Sequence, residues 1–209
     1  MQALIKTLFI SAYLLGATSA LPTARPATSP SSSSSLSTRQ AGSPPSCPAS
    51  KAGRFEPDTY TIYPTEPDRS SARTQYLNLS RTATAVQEQV YAFRGLPATA
   101  QNCTLRWAVG AERVFHVNGS GLTEVHQLTG VPAAGAPVTY TAVQALLGAR
   151  VGGGDFTAWN EVNGSHAHIV GSVPCAVDMA FTVRMGGQNN GSVQIKQSYE
   201  DGWYVEYDC

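Results

Sequence analysis

The residues with the clearest chemical potential are His166 and His168, separated by Ala167. In a strand, side chains two apart leave the same face, so two imidazoles would stand together in a way that suits Zn or Cu. A complete site needs more ligands. Ile169-Val170-Gly171-Ser172 follows the pair, and the next acid is Asp178. His116 and His126 are the other histidines, and their spacing does not bring them to it. The reading is two polar-face histidines, with no metal and no other cofactor.

Glycoside hydrolysis needs two acids flanking a cleft, one with a raised pKa. Asp155 with Glu161, or Glu124 with Glu206, are the available pairs, and each acid reads equally well as a solvated turn or strand-face residue. A Gly-x-Ser-x-Gly nucleophile pattern is missing; His116-Val117-Asn118-Gly119-Ser120-Gly121 has the wrong spacing. Gly152-Gly153-Gly154 lacks the Gly-Lys-Ser/Thr of a phosphate loop and reads as a flexible loop before Phe156. Oxidative copper attack on polysaccharides uses a histidine at the mature N-terminus, whereas cleavage here would expose Leu21 or Gln40. No catalytic residue is assigned. Binding is the better expectation, with Trp159, Tyr60 and Tyr63 as candidate ligand-binding aromatics, since such rings stack on sugars. Trp107 and Trp203 fall on the inward phase of their strands and read as core.

The elements that must position these residues are strands. Val177, Met179, Phe181, Val183 and Met185 alternate with Asp178, Ala180, Thr182 and Arg184, a period of two that a helix would scatter. Cys103, Leu105, Trp107 and Val109 alternate likewise, and Val193–Ile195 and Trp203–Tyr207 follow after glycine turns. Further strands are expected near Tyr60–Tyr63, Tyr76–Leu79, Val86–Phe93, Val114–Val117 and Leu122–Leu128. Only Val138–Leu147 suits a short helix. The fold class is all-β: an antiparallel, jelly-roll-like β-sandwich of about ten short strands over residues 47–209, with a disordered N-terminal segment.

The solvent for this sandwich is set by residues 1–20. Lys6, an uncharged apolar run and Ala17-Thr18-Ser19-Ala20 have the layout of a secretory signal peptide, cleaved after Ala20. The apolar run is too short to span a bilayer, and no later run approaches the ~20 residues required. Residues 21–46 are rich in Pro, Ser, Thr and Ala and read as a disordered, O-glycosylated linker. Arg39-Gln40 within it is a possible processing point.

Four cysteines, Cys47, Cys103, Cys175 and Cys209, suit two disulfides in an oxidising compartment, with three possible pairings. Placing the first and last strands side by side favours Cys47 with Cys209 and Cys103 with Cys175. Asn78, Asn102, Asn118, Asn163 and Asn190 each open an N-glycosylation sequon. The 14 acids all lie beyond residue 55, and removing Lys6, Arg25 and Arg39 from the 14 bases leaves 11. A mildly acidic body without a basic stripe excludes nucleic acid as a partner class.

Several segments resemble a known family: Tyr60-Thr61-Ile62-Tyr63-Pro64, Gly95-Leu96-Pro97, Asn102-Cys103-Thr104-Leu105 and the terminal Gly202-Trp203-Tyr204-Val205-Glu206-Tyr207-Asp208-Cys209. The family is fungal and is named for a binder of the activating enzyme of a ubiquitin-like modifier; the likeness is to its C-terminal, But-type domain. The resemblance implies a fungal source and a secreted protein, and it assigns no active-site residue. The cytoplasmic partner in the family's name does not transfer to a chain with an export signal. The expectation is a secreted, glycosylated protein, extracellular or in the cell wall, acting without catalysis by surface recognition at the fungal cell surface or host interface. Its partner would be an extracellular host protein or, alternatively, a cell-wall polysaccharide bound by a carbohydrate-binding domain. A small glycoside hydrolase is the third reading.

Overall fold

The computed structural model describes residues 51–209. The expected signal peptide, the expected linker with Arg39-Gln40, and Cys47 lie outside the described residues. In chain order the first strands are β1 (Ala52–Arg54), β2 (Asp58–Ile62), β3 (Arg73–Thr74), β4 (Tyr76–Arg81), β5 (Val86–Phe93) and β6 (Gln101–Val109). Then come β7 (Phe115–Gly119), β8 (Thr123–Leu128), helix α1 (Tyr140–Gln144), β9 (Leu147–Gly152) and β10 (His166–Ser172). The described chain closes with β11 (Met179–Met185), β12 (Gly191–Lys196) and β13 (Gly202–Asp208).

These strands make two antiparallel sheets. The smaller has the order β1-β13-β6-β10; the larger runs β7-β12-β4-β5-β11-β8-β9, with β2 and β3 attached beside β5. The expected β-sandwich is therefore present. Its core is the inward phase of both sheets, including Leu105, Trp107 and Trp203 from one and Leu79, Phe93, Phe181 and Ile195 from the other. Trp107 and Trp203 are buried, as their phase requires.

Strand β5 is buried on both faces from Glu88 to Phe93. Tyr91 and Phe93 face the sandwich core, whereas Val90 and Ala92 face a second cluster with Ile62, Leu128, Val138, Val143 and Ala180. Helix α1, inside the expected window, covers this outer face with Val143. Thr139 caps it by accepting from the Ala142 N–H.

One edge of β5 is divided. β4 pairs with Val86 and Gln87, and β2 takes over from Glu88 to Ala92. Gln89 fills the fork: its Oε1 accepts from the Asn78 N–H and the Tyr91 hydroxyl, and its Nε2 donates to Thr61 Oγ1 and the Tyr76 carbonyl. A side-chain amide thus replaces the ladder bonds that β4 loses as it diverges.

The structure corrects the sequence reading in several places. β9 and β10 were not expected as strands, because Ala167, Gly148, Gly152 and Gly171 supply little apolar alternation. Gly152-Gly153-Gly154 is not a loose loop. A Cβ on Gly152 would stand 2.3 Å from the Val170 carbonyl oxygen, and one on Gly153 would stand 2.0 Å from that of Thr123. Glycine is needed there for close backbone approach. β11 begins two residues later than Val177, since the Val177 carbonyl accepts from Leu96 and the Asp178 carboxylate accepts from the Gly95 N–H.

Candidate functional site

The hairpin between β12 and β13 is held tightly. Ser198 Oγ accepts from the N–H groups of Glu200 and Asp201, and Asp201 Oδ1 accepts from the Gly110 N–H at 2.8 Å. This turn presents Tyr199 to solvent at 73% exposure, the highest among the large hydrophobic residues described. Beside it, Phe55 folds back over Gly53, where a Cβ would come within 2.4 Å of the ring. Phe55 stacks on Tyr204 with centroids 4.7 Å apart and an interplanar angle of 14°, and meets Tyr199 at 6.1 Å. Burial pushes the Tyr204 hydroxyl pKa up, with Arg106 opposing and Glu206 adding to the rise. The result is an aromatic ridge.

A groove lies on each side of this ridge, and Phe55 and Tyr199 line both. The first, about 340 Å³, is polar and is lined by Arg54, Glu56, Arg73, Gln75 and Gln197. Arg73 pairs with Asp58 at 3.0 Å. Glu56 sits in the left-handed region (φ 52°), an uncommon conformation that sets its carboxylate beside the groove. Gln197 donates to Thr59 Oγ1, but its Oε1 has no hydrogen-bond partner. The second groove, about 480 Å³, has Ala108, Gly110 and Ala167 in its lining, with Ser165, His166 and Glu200 around them.

The residues singled out from the sequence fall elsewhere or at the margin. His166 and His168 share a face, as a strand requires, and gather with Trp107 and Trp159 into an aromatic cluster. His168 stacks on Trp107 at 4.6 Å, and His166 Nε2 donates to the Asn163 carbonyl at 2.8 Å. Among the described residues, no group of three or more His, Cys, Asp or Glu side chains is placed to hold a metal ion. Trp159 packs edge-on against Trp107. Tyr60 packs against the second core, and the Arg69 guanidinium lies 3.8 Å over the Tyr63 ring. None of these three aromatics lines either groove.

Of the carboxylate pairs, Glu124 and Glu206 are separated. Glu206 is on the outer face of the smaller sheet, bonded to Arg106 at 2.7 Å. Glu124 is on the outer face of the larger sheet, where a hydrogen bond from Arg184 holds its carboxyl below the usual range. They cannot flank one cleft. Asp155 is committed to Thr157, accepting from its N–H and hydroxyl.

Cys103 and Cys175 form a disulfide, Cα atoms 5.3 Å apart. Cys209 is also disulfide-bonded. Among the sequons, Asn78 and Asn118 lie on the outer face of the larger sheet, since Leu77 and Leu79 beside Asn78 face the core and Asn118 shares a row with Ser192 and Ser80. Asn102 donates its side-chain amide to Asp208 at 2.9 Å.

Phe55, Tyr199 and Tyr204 were missed. The available signal was Ser198-Tyr199-Glu200-Asp201-Gly202, a bulky aromatic inside an otherwise polar turn between two strand runs. In comparisons with known proteins, no family model and no curated relative matches the chain.

Proposed function

We propose that the protein is an exported recognition module that acts by binding, and that its ligand is carbohydrate held on the Phe55–Tyr199 ridge. The observation that carries this is an aromatic ring exposed at 73%, fixed by a hydrogen-bonded turn between a polar groove and one floored by small residues. A sugar ring has an apolar C–H face and a rim of hydroxyls; the ridge takes the face and the grooves take the rim. Arg54, Glu56 and Gln75 supply both donors and acceptors. The export signal, and a disulfide typical of oxidising compartments, support placing it outside the cell or in the wall. Glycans on Asn78 and Asn118 would occupy the opposite face of the sandwich.

The test is binding to a panel of insoluble and soluble polysaccharides. Tyr199→Ala should weaken binding by about tenfold, the equivalent of one lost stacking contact. Its melting temperature should not change, because the ring is exposed. Binding unaffected by Tyr199→Ala would sink the assignment. A second reading, an extracellular protein partner on the same face, is favoured by Ile169, which is 66% exposed on edge strand β10. Ile169→Lys would abolish that mode while leaving polysaccharide binding intact.

A further inference from the structure

The floor of the wider groove runs across the strands. Gly202 on β13 lies opposite Ala108 on β6, and Ala108 lies opposite Ala167 on β10. Two adjacent strands therefore offer only methyl groups along the groove floor, one inter-strand spacing or about 5 Å apart, and Gly202 continues the row beneath the Gln197 side chain. The neighbouring row is bulky: Tyr204 opposite Arg106, and Arg106 opposite Ile169. On the other side stand Gly110, Glu200 and Tyr199. A trough with walls results, open at the β10 edge of the sheet.

At its other end the trough meets the ridge, and beyond the ridge is the polar groove. Gly202 links the two, because a Cβ there would stand 2.8 Å from Gln197 Cγ. Gln197 is only 6% exposed, donates to Thr59 Oγ1 beneath the groove, and separates the trough from the polar groove. The charges lining the two grooves are mixed in sign: Arg54 and Arg73 stand with Glu56 on one side, and Glu200 is on the other. That balance suits an uncharged ligand.

Resting on the carbohydrate reading above, we infer that the ligand is a linear, neutral polysaccharide that lies across strands β10, β6 and β13, passes over the Phe55–Tyr199 ridge and ends in the polar groove. A single sugar would fill one groove and leave the other empty. The chain needs the small-residue row to lie flat, and Arg54, Glu56 and Gln75 face the sugar at the far end.

The experiment is isothermal titration of soluble oligomers, one to six units long, of β-1,3-linked glucose, β-1,4-linked glucose, N-acetylglucosamine and mannose. For one series, affinity should rise at least tenfold from monomer to hexamer and change less than twofold between low and high salt. Ala167→Trp, at an exposed position, should remove the gain with length while keeping short-oligomer affinity within about twofold; Ala167→Arg should do the same. Tyr199→Ala should weaken short and long oligomers alike. If the monomer binds as tightly as the hexamer and Tyr199→Ala still weakens binding about tenfold, the extended-chain inference fails and the carbohydrate reading stands. If no oligomer of any length binds, both fail. A strong salt dependence would overturn the neutral character of the ligand.

Discussion

At the scale of single residues, two neighbours on β5 carry opposite consequences. Gln89 is fully buried and makes four hydrogen bonds, two of them to main-chain groups of β4. Burial keeps the Tyr91 hydroxyl protonated far into alkaline pH, so its bond to Gln89 persists. Gln89→Leu would keep the volume and strand the Asn78 N–H and the Tyr76 carbonyl without partners, at about 1–3 kcal/mol each. Urea unfolding should show a loss of at least ~3 kcal/mol, against well under ~1 kcal/mol for Gln87→Leu. Equal losses would mean that the fork is held by packing alone. Glu88, beside it, has its carboxyl pKa raised by burial, with Arg184 and Arg81 pulling the other way. A raised folded-state pKa means that the native protein holds this proton more tightly than the unfolded chain. That contribution is present below the ordinary carboxyl range and is lost as pH rises through the folded value. Glu88→Gln should therefore be more stable than the parent at pH 7, and the difference should vanish on titrating below ~4. A difference that grows on acidification would contradict the assignment. Glu88 and Gln89 were visible to sequence reading only as polar letters in a strand; their burial depends on β2, β4 and α1 converging on them, which no local period encodes.

At the scale of elements, the loop leading into β10 shows why part of the site was legible and part was not. Arg113 donates to the carbonyls of Gly110, Gly164, Trp159 and Val162, tying residues 159–164 to the end of β6. Asn160 bonds both the N–H and the carbonyl of Val117, blunting the free edge of β7. Trp159 is thereby fixed as a packing residue over Trp107 and the histidines. From sequence it was an aromatic in a polar loop, and its fate was decided by an arginine 46 residues away. Strands with strong alternation, such as β6 and β11, were readable because one face is buried all along. β9 and β10 were not, since glycines there serve close contact between backbones rather than side-chain packing. Arg113→Met keeps the aliphatic stem and removes the donors. Hydrogen exchange should then rise selectively in residues 157–165, with a global loss of roughly 1.5–3 kcal/mol for bonds to a charged donor. Unchanged exchange in that segment would show that Asn160 and aromatic packing suffice to hold it.

At the scale of the whole molecule, the Cys103–Cys175 bridge closes a 72-residue excursion that holds β7, β8, α1, β9 and β10. Its base is already paired without the sulfurs: Ser172 lies opposite Thr104, and the Val173 N–H donates to the Cys103 carbonyl at 2.9 Å. Breaking the bridge therefore removes little native contact, and its main effect falls on the unfolded chain, which regains loop entropy worth about 4 kcal/mol in the chain-entropy model. For a domain of this size that corresponds to a drop of roughly 10 °C in Tm. The prediction separates two mechanisms. If the bridge acts through the unfolded state, Cys103→Ala with Cys175→Ala will lower the urea midpoint while native-state exchange near Leu105 and Val173 keeps its protection relative to the global free energy. If it instead holds the sheets in register, exchange along β10 and the β6 edge will rise ahead of global unfolding. The groove beside Tyr199 and Phe55 meets β6 and β10 at Ala108 and Ala167, the opposite end of these strands from Cys103 and Ser172. Ligand affinity in the double variant should consequently match the parent at low temperature, and a loss of binding in the folded variant would show that the trough depends on the bridge for its shape.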